Sequence, residues 1–486
     1  MSISSVVNDD VLYHIASLCH KKEALLALII TCRAAFQDFA KLLLVDDVQL
    51  RSESQLISFL SWVSKDSLHR APFIRSLLIS NIPLHHTPFS VATGERLTNL
   101  FDSLRSVLAL RRLSLQDAEL ILDSHPNLAA SISRLTTITD LTLIPAGHRC
   151  SWLLQSTLSR LKYVHLVIDD TDGRGEEAGQ SSAHVLAAHT TSLLQLHWES
   201  MWTLAVPGGP QFLNVLHLSV GPAMDPIIED YLLAFPNLQS LKVFNLEWDD
   251  EVWMITPHRE RNIGVQRRSG TWTRLRAYEG SPRALYALGL AFHIPELRFP
   301  DIVSYMDLDA LRIALEDAQP TTLAISTSEP PGRWFFDPEA VTVLSGAKTV
   351  RNLEINLCAW EEEMEIGLEP LMVRTSRVPI IHRGWPYPFA CKQDAIVHIL
   401  AALDRVASFS LLFDLQLLDK LATFKQKPNS RRRPSERLTE GIDYLAFARR
   451  CTAAGKALRS VWVSQKDGRG QESHVVVHLD LQGEAS

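Results

Sequence analysis

The chain has 486 residues, of which 46% are hydrophobic and 21% are charged, and its net charge is −7. This length exceeds a single core of ordinary size and predicts about three domains or one extended repeat array. The composition excludes a largely disordered chain, and the lack of basic excess argues against a nucleic-acid surface. No apolar run approaches the roughly 18 residues that a membrane helix needs.

Cysteine spacing and the N-terminal charges indicate the cellular compartment. The six cysteines are scattered and form no Cys-x-x-Cys pair. This spacing favours buried thiols in a reducing compartment over disulfides. Asp9 and Asp10 stand where a secretory signal peptide would have a basic region followed by an apolar one. We therefore expect a cytosolic or nuclear protein.

Three short apolar sets at helical spacing occupy the first fifty residues. The first set follows Asn8, Asp9 and Asp10, which can cap the free N–H groups of a helix and suit its macrodipole. The second follows a polar break at residues 20–23, and the third ends at Asp46. Three short helices cannot bury all of this apolar surface among themselves. Part of it should contact a partner.

Residues 6–50 resemble an F-box, the helical module that docks substrate receptors onto the Skp adaptor of cullin-based ubiquitin ligases. The family's opening motif is similar to the run Val7-Asn8-Asp9-Asp10-Val11-Leu12-Tyr13-His14-Ile15. Its second motif, a leucine-rich helix that ends in a Val-Cys-Lys-like sequence, is similar to the run from Leu25 to Arg33. Asn8 departs from the usual proline, and the usual acidic residue is displaced to Glu23.

The resemblance implies a Skp-type adaptor and a cullin scaffold as partners. It also implies which apolar side chains contact the adaptor. These are Val7, Val11, Leu12, Ile15, Leu18, Leu25, Leu28, Ile29, Cys32 and Phe36. An ordinary helical cap on a repeat protein is the alternative interpretation of the same helices.

A short pattern, apolar-x-x-Leu-x-apolar, returns along the rest of the chain at intervals of roughly 20 to 36 residues. Alternate residues of a short strand point to one side, so each Leu-x-Leu pair would be buried as the strands stack in parallel. Helical sets between the copies would cover the convex side of such a stack. Copies begin at Ile74, Leu110, Ile138, Leu161, Leu193, Leu213 and Leu238, and weaker ones at Trp272, Ile294, Pro320, Val350, Val406 and Leu458.

These copies are similar to leucine-rich repeats, with one systematic departure. The family usually has an Asn or Cys three residues past the second strand leucine, and here only Cys358 matches. The turns must therefore be satisfied in another way, and we expect an irregular solenoid. A large α/β domain with alternating strands and helices is the alternative.

The predicted fold class is α/β, with a three-helix F-box-like module followed by a leucine-rich-repeat-like solenoid. Its parallel strands would form the concave face and its helices the convex face. The predicted segments are the module at residues 1–50, a linker helix at 51–70, and the solenoid at 71–486. Inserted loops are predicted at about 257–270, 369–390 and 425–437, the last basic and either a nuclear-import signal or a solubilising loop.

No catalytic motif of the common hydrolase, nucleotide-binding, metalloprotease or kinase types occurs in the sequence. The closest approaches to metal-ligand clusters are His85 with His86, His184 with His189, and His148 with Cys150. Each of these is more often a surface or core side chain, so we predict no metal site, no cofactor and no catalytic residue.

The function predicted from these features is substrate recognition in a Skp–cullin–F-box ubiquitin ligase. The N-terminal helices would bind the adaptor, and the repeats would bind an unknown target protein. One alternative is an interaction scaffold without a ubiquitin role. Another is an enzyme with scattered residues such as His148, Asp169 and Asp170.

Overall fold

The computed structural model describes residues 47–80, 88–168, 182–200, 208–221, 228–243, 252–300, 308–328, 342–344, 346–358, 389–403, 405–414, 444–455, 457–466 and 472–478. The F-box-like residues 6–46 therefore lie outside the described residues. The chain divides into two compact units. Unit 1 contains Met1–Met224 and Asp230–Leu238, and unit 2 contains Asp225–Glu229 and Gln239–Ser486.

Unit 1 contains seven described strands, and every strand pairs in parallel with the next one along the chain. The connections carry helices, as parallel pairing requires. The fold is therefore α/β, as predicted, and this order of strands is that of a repeat stack. The strands are β1 (Asp47–Leu50), β2 (Ser76–Ser80), β3 (Arg112–Gln116), β4 (Asp140–Ala146), β5 (Tyr163–Ile168), β6 (Gln195–Glu199) and β7 (His217–Val220).

Short helices alternate with these strands. Their apolar residues recur at helical spacing, and α3 shows this clearly because Leu97, Leu100 and Leu104 are all buried. The helices are α1 (Glu53–Ser64), α2 (Ser67–Arg70), α3 (Val91–Val107), α4 (Ala118–Ser124), α5 (Pro126–Ser133), α6 (His148–Ser156), α7 (Ser182–Val185) and α8 (Ile228–Ala234), which continues from unit 2 into unit 1.

Two rows of buried side chains run across the strands of unit 1. The strand register places the first apolar residue of each copy beside that of the next, and the same holds for the second. This confirms the predicted burial of the Leu-x-Leu pairs. The first row contains Val48, Leu77, Leu113, Leu141, Val164, Leu196 and Leu218, and the second contains Leu50, Ile79, Leu115, Leu143, Leu166, Trp198 and Val220.

A repeated pair of backbone hydrogen bonds fixes the start of each strand. The carbonyl of Arg75, just before β2, accepts from the N–H groups of Arg111 and Arg112 at 2.8 and 2.9 Å. The carbonyl of Arg111 in turn accepts from Thr139 and Asp140 at 2.8 and 3.1 Å. The same arrangement recurs at the later strands of both units. Because these strands each begin at a carbonyl beside the preceding strand, the register is passed from copy to copy.

A carboxylate on α4 satisfies backbone N–H groups at the start of α6. The Glu119 carboxylate of α4 accepts from the N–H groups of Gly147, Arg149 and Cys150 at 2.8–3.1 Å, at the start of α6. These N–H groups have no partner inside their own helix.

Unit 2 repeats the architecture with eight described strands. Seven of them pair in parallel, and the last, β15, pairs antiparallel with β14. Sequence analysis did not predict this final hairpin partner. The strands are β8 (Ser240–Val243), β9 (Ala277–Glu279), β10 (Glu296–Phe299), β11 (Thr322–Ser328), β12 (Asn352–Cys358), β13 (Ser408–Asp414), β14 (Ser460–Lys466) and β15 (Glu472–His478).

The helices of unit 2 include one that contradicts a prediction. The loop predicted at about 257–270 is wrong, because residues up to Ser269 belong to a helix. Its interior stripe, Ile255, Asn262 and Val265, is buried. Because Asn262 is polar, the sequence pattern did not indicate that this stripe is buried. The helices are α9 (Val252–Ser269), α10 (Pro282–Leu288), α11 (Leu308–Ala318), α12 (Phe389–Ala402) and α13 (Tyr444–Ala454).

Polar contacts explain why α9 is stable despite Pro257. The Asn262 side chain accepts from Ile228 N at 3.1 Å and donates to Ala287 O at 2.9 Å. The Arg259 guanidinium donates to Asp317 at 2.5 Å and lies 4.6 Å from the centre of the Tyr286 ring. These contacts join α9 to α10 and α11 through half-buried charge.

At two strands the sequence pattern predicted the wrong residues to be buried. At β7 the register with β6 buries Leu218 and Val220, whereas the prediction chose Leu216 and Leu218. At β9 the buried residue is Tyr278, three positions after the predicted Leu275. In both places a nearby leucine also fitted the sequence pattern. The pairing with the neighbouring strand determines which residues are buried.

The predicted boundary at residue 50 also changes. β1 pairs with β2 and belongs to the sheet, so the described repeats begin at Asp47. The predicted linker helix exists as α1, with Leu56, Leu60 and Val63 buried. It contacts β1 and α3, which makes it the helix of the first repeat. The loop predicted at 425–437 and nearly all of that at 369–390 lie outside the described residues.

Shortening a side chain in the second buried row should destabilise unit 1. We expect Leu143→Ala to lower the free energy of unfolding by about 2–5 kcal/mol, because the side chain is fully buried and leaves a cavity. Urea denaturation followed by circular dichroism measures this change. The matched control is Thr142→Ala on the opposite face of the same strand, with an expected loss below about 1 kcal/mol. Equal losses would contradict the assignment of the two faces.

Removing the Glu53 carboxylate should give a pH-dependent loss of stability. Hydrogen bonds from Thr93 and then Ser90 lower the Glu53 pKa, so its contribution is present above the unfolded pKa of about 4.3. It disappears as the pH falls through the lower folded value. Glu53→Gln should therefore lower the urea midpoint at pH 7, and the difference should shrink towards pH 3.

The exposed Glu95 of α3 supplies the control for this experiment. Glu95→Gln removes the same charge, and we expect it to shift the urea midpoint much less at pH 7. A Glu53→Gln deficit that is the same at pH 7 and pH 3 would contradict the role of the charged carboxylate.

Candidate functional site

The candidate site is the face of the unit 1 sheet opposite the two buried rows, which we call the open face. Its side chains are the residues between and beside the buried pairs, since neighbours along a strand point to opposite faces. The register aligns them in two rows across the strands. The first contains Asp47, Ser76, Arg112, Asp140, Tyr163, Gln195 and His217, and the second contains Gln49, Leu78, Ser114, Thr142, His165, His197 and Ser219.

Residues of both rows on β1–β5 line a shallow groove of about 420 Å³, in which the first row contributes the charged side chains. Arg112 lies in the row between Ser76 and Asp140, and Asp47 lies beyond Ser76. The Ser76 hydroxyl donates to Asp47 Oδ1 at 2.9 Å. The groove thus contains one guanidinium and two carboxylates, whose positions the strands fix. Such a surface is complementary to a ligand that carries both positive and negative groups.

Tyr163 closes the groove on the β5 side. Its side chain is half-buried, and desolvation, helped by the nearby Asp140 carboxylate, raises the pKa of its phenol. The hydroxyl is therefore protonated at neutral pH and can donate or accept a hydrogen bond. A tyrosine with an apolar ring and a polar tip is a common anchor in binding surfaces.

A second feature of the open face is a cluster of His165, His197 and Glu199. The His197 Nε2 atom donates to Glu199 Oε1 at 2.6 Å, and His165 Nε2 lies 3.9 Å from the same oxygen. The two imidazole rings are 3.8 Å apart between centroids. Among the described residues, the buried His165 Nε2 atom has no hydrogen-bond partner.

The environment keeps His165 uncharged. Desolvation and then the adjacent His197 ring lower its pKa to about 4, and the Glu199 carboxylate opposes this shift. At physiological pH its imidazole is neutral and carries a lone pair on one ring nitrogen. The nitrogen and oxygen atoms that the three side chains can offer to an ion all lie within 4.8 Å of one another.

Sequence analysis did not single out these three residues, although a signal for them exists. His165 stands between the two buried residues of its copy, Val164 and Leu166. His197 stands at the same place in the next copy, between Leu196 and Trp198. Equivalent positions of successive copies meet across a parallel sheet, so comparing copies would have paired the two histidines.

The histidines that sequence analysis did name serve other purposes or lie elsewhere. His189 is buried, and its Nε2 atom lies 3.0 Å from the carbonyl of Leu154, where it supports the end of α6. His184 lies on α7, and His85 and His86 are outside the described residues. Two described cysteines, Cys150 and Cys451, are buried free thiols, as expected.

Of the three residues named for a scattered catalytic site, the structure describes only His148, which lies two residues before the buried Cys150. Burial, and then the Glu119 carboxylate, raise the pKa of Cys150 well above its usual value. Its thiol is therefore unreactive at neutral pH. His148 is the first residue of α6, and Asp169 and Asp170 lie outside the described residues.

The predicted adaptor-binding residues, from Val7 to Phe36, also lie outside the described residues, so their contacts remain a prediction. Trp198 and Trp272 are buried in the core. In the described part of the chain no helix combines the length and apolarity that would let it cross a bilayer.

No protein-family model matches the chain, and no curated protein matches it. The function must therefore be inferred from the residues of the chain and their geometry.

Proposed function

We propose that the chain is a recognition subunit that binds a target protein on the open face of its sheet. The observation that carries this proposal is the register of the strands. It aligns polar and charged side chains from seven successive strands on one surface. A sheet whose second face is half-exposed and polar is available for a ligand, whereas the buried face is used for folding.

We further propose that the N-terminal residues attach this subunit to a Skp adaptor and thereby to a cullin-based ubiquitin ligase. The support is the F-box resemblance of residues 6–50, together with the repeat architecture that follows them. In this mechanism the chain itself performs no bond chemistry. It raises the local concentration of target lysines near the ligase. Each apolar adaptor contact would contribute about 1.5–3 kcal/mol when fully buried.

The attachment is tested by a pull-down with the purified Skp adaptor. Leu12→Asp combined with Ile15→Asp places two unpaired carboxylates on the apolar stripe, and we expect adaptor binding to fall at least tenfold. The control is Tyr13→Asp with Ser17→Asp, which adds the same charge on the opposite side of the expected helix. Failure of the wild-type chain to bind would contradict the ligase proposal and favour a scaffold.

Target recognition is tested separately by reversing the groove charge. Arg112→Glu should reduce binding of a target identified by cross-linking at least tenfold, while adaptor binding stays unchanged. Arg105→Glu is a matched control, because Arg105 is an exposed residue in the last turn of α3. Unaltered target binding by Arg112→Glu would exclude the groove as the binding surface.

A further inference from the structure

The His165, His197 and Glu199 cluster has the composition of a metal site. Imidazole nitrogens and carboxylate oxygens are the ligands that Zn²⁺ accepts besides thiolates, and three protein ligands with one open position form a common zinc arrangement. Two ligands come from one strand at alternate positions, and the third comes from the adjoining position of the neighbouring strand. All three side chains therefore project from the same small area of the sheet.

The distances within the cluster are close to those that a zinc ion requires. Zinc bonds of about 2.0–2.2 Å in a tetrahedron place the ligand atoms about 3.3 Å apart. The separations from Glu199 Oε1, 2.6 Å to His197 Nε2 and 3.9 Å to His165 Nε2, lie on either side of this value. Both distances differ from it by less than 1 Å, so small side-chain rotations would suffice to reach it.

The cluster also contains an unsatisfied group that a metal would satisfy. A buried polar atom without a partner is costly, and His165 Nε2 is one. Glu199 provides the negative charge, and the side chains are 21%, 17% and 35% exposed for His165, His197 and Glu199. An ion can therefore reach the cluster from the open face, and a dication would change its charge from −1 to about +1.

We propose that His165, His197 and Glu199 bind one divalent transition-metal ion, Zn²⁺ by preference, on the open face of unit 1. The Nε2 atoms of the two histidines and one Glu199 oxygen would be the ligands. Coordination would replace the His197–Glu199 hydrogen bond, and the ring proton of His197 would move from Nε2 to Nδ1, so that the imidazole stays neutral with Nε2 bound to the metal. A water molecule would complete the tetrahedron on the side that faces solvent.

The test is isothermal titration of the full chain with Zn²⁺ after treatment with a chelator. The wild type should bind one equivalent that His165→Gln and His197→Gln each weaken at least tenfold, because each removes one of three ligands. His217→Gln is the matched control, since His217 lies exposed on the same face one strand beyond β6. It should bind zinc like the wild type.

Cobalt substitution provides an independent measurement that does not need a variant to fold. Co²⁺ bound to the wild-type chain should show the intense visible absorption of a tetrahedral nitrogen and oxygen site, and added Zn²⁺ should remove it. The proposal is overturned if the wild type binds no equivalent of Zn²⁺. It is equally overturned if the three histidine variants bind alike, or if cobalt gives only the weak spectrum of its hexahydrate.

Discussion

In-register parallel pairing of short strands is the interaction on which the rest of each unit depends. At most described strands, backbone N–H groups at the start of the strand donate to the carbonyl of the residue before the preceding strand, as Arg111 and Arg112 donate to Arg75. In unit 1 this pairing stacks two apolar residues of each strand into continuous buried rows. A shift of one residue would expose an entire row to water, so the hydrophobic effect and the backbone hydrogen bonds select the same register.

The open face is a consequence of this register. Residues between and beside the buried pairs must point away from the core, whatever their chemistry. At β3 and β4 they are Arg112 and Asp140, which line a charged groove. At β5 and β6 they are His165 and His197, which contact each other. A repeat stack can therefore vary its surface freely at positions that folding does not use, and this freedom is what recognition of a target requires.

Much of this arrangement could be predicted from the sequence, because apolar residues two apart recur at strands such as β3 and β4. The predictions failed where the pattern was ambiguous. An extra leucine before β7 led to the wrong pair of buried residues there. The polar but buried Asn262 made α9 look like a loop in the sequence. The pairing of β15 and the meeting of His165 with His197 depend on which strands become neighbours. Periodicity within a single copy contains no such information.

Thiol labelling of two adjacent positions in β6 tests the assignment of the two faces most directly. Gln195 is exposed on the open face, and the next residue, Leu196, is fully buried. Gln195→Cys should add one thiol that reacts at once in the native protein. Leu196→Cys should add one that reacts only after denaturant is added. Equal native reactivity at the two positions would contradict the register, and with it the surface on which the proposed recognition rests.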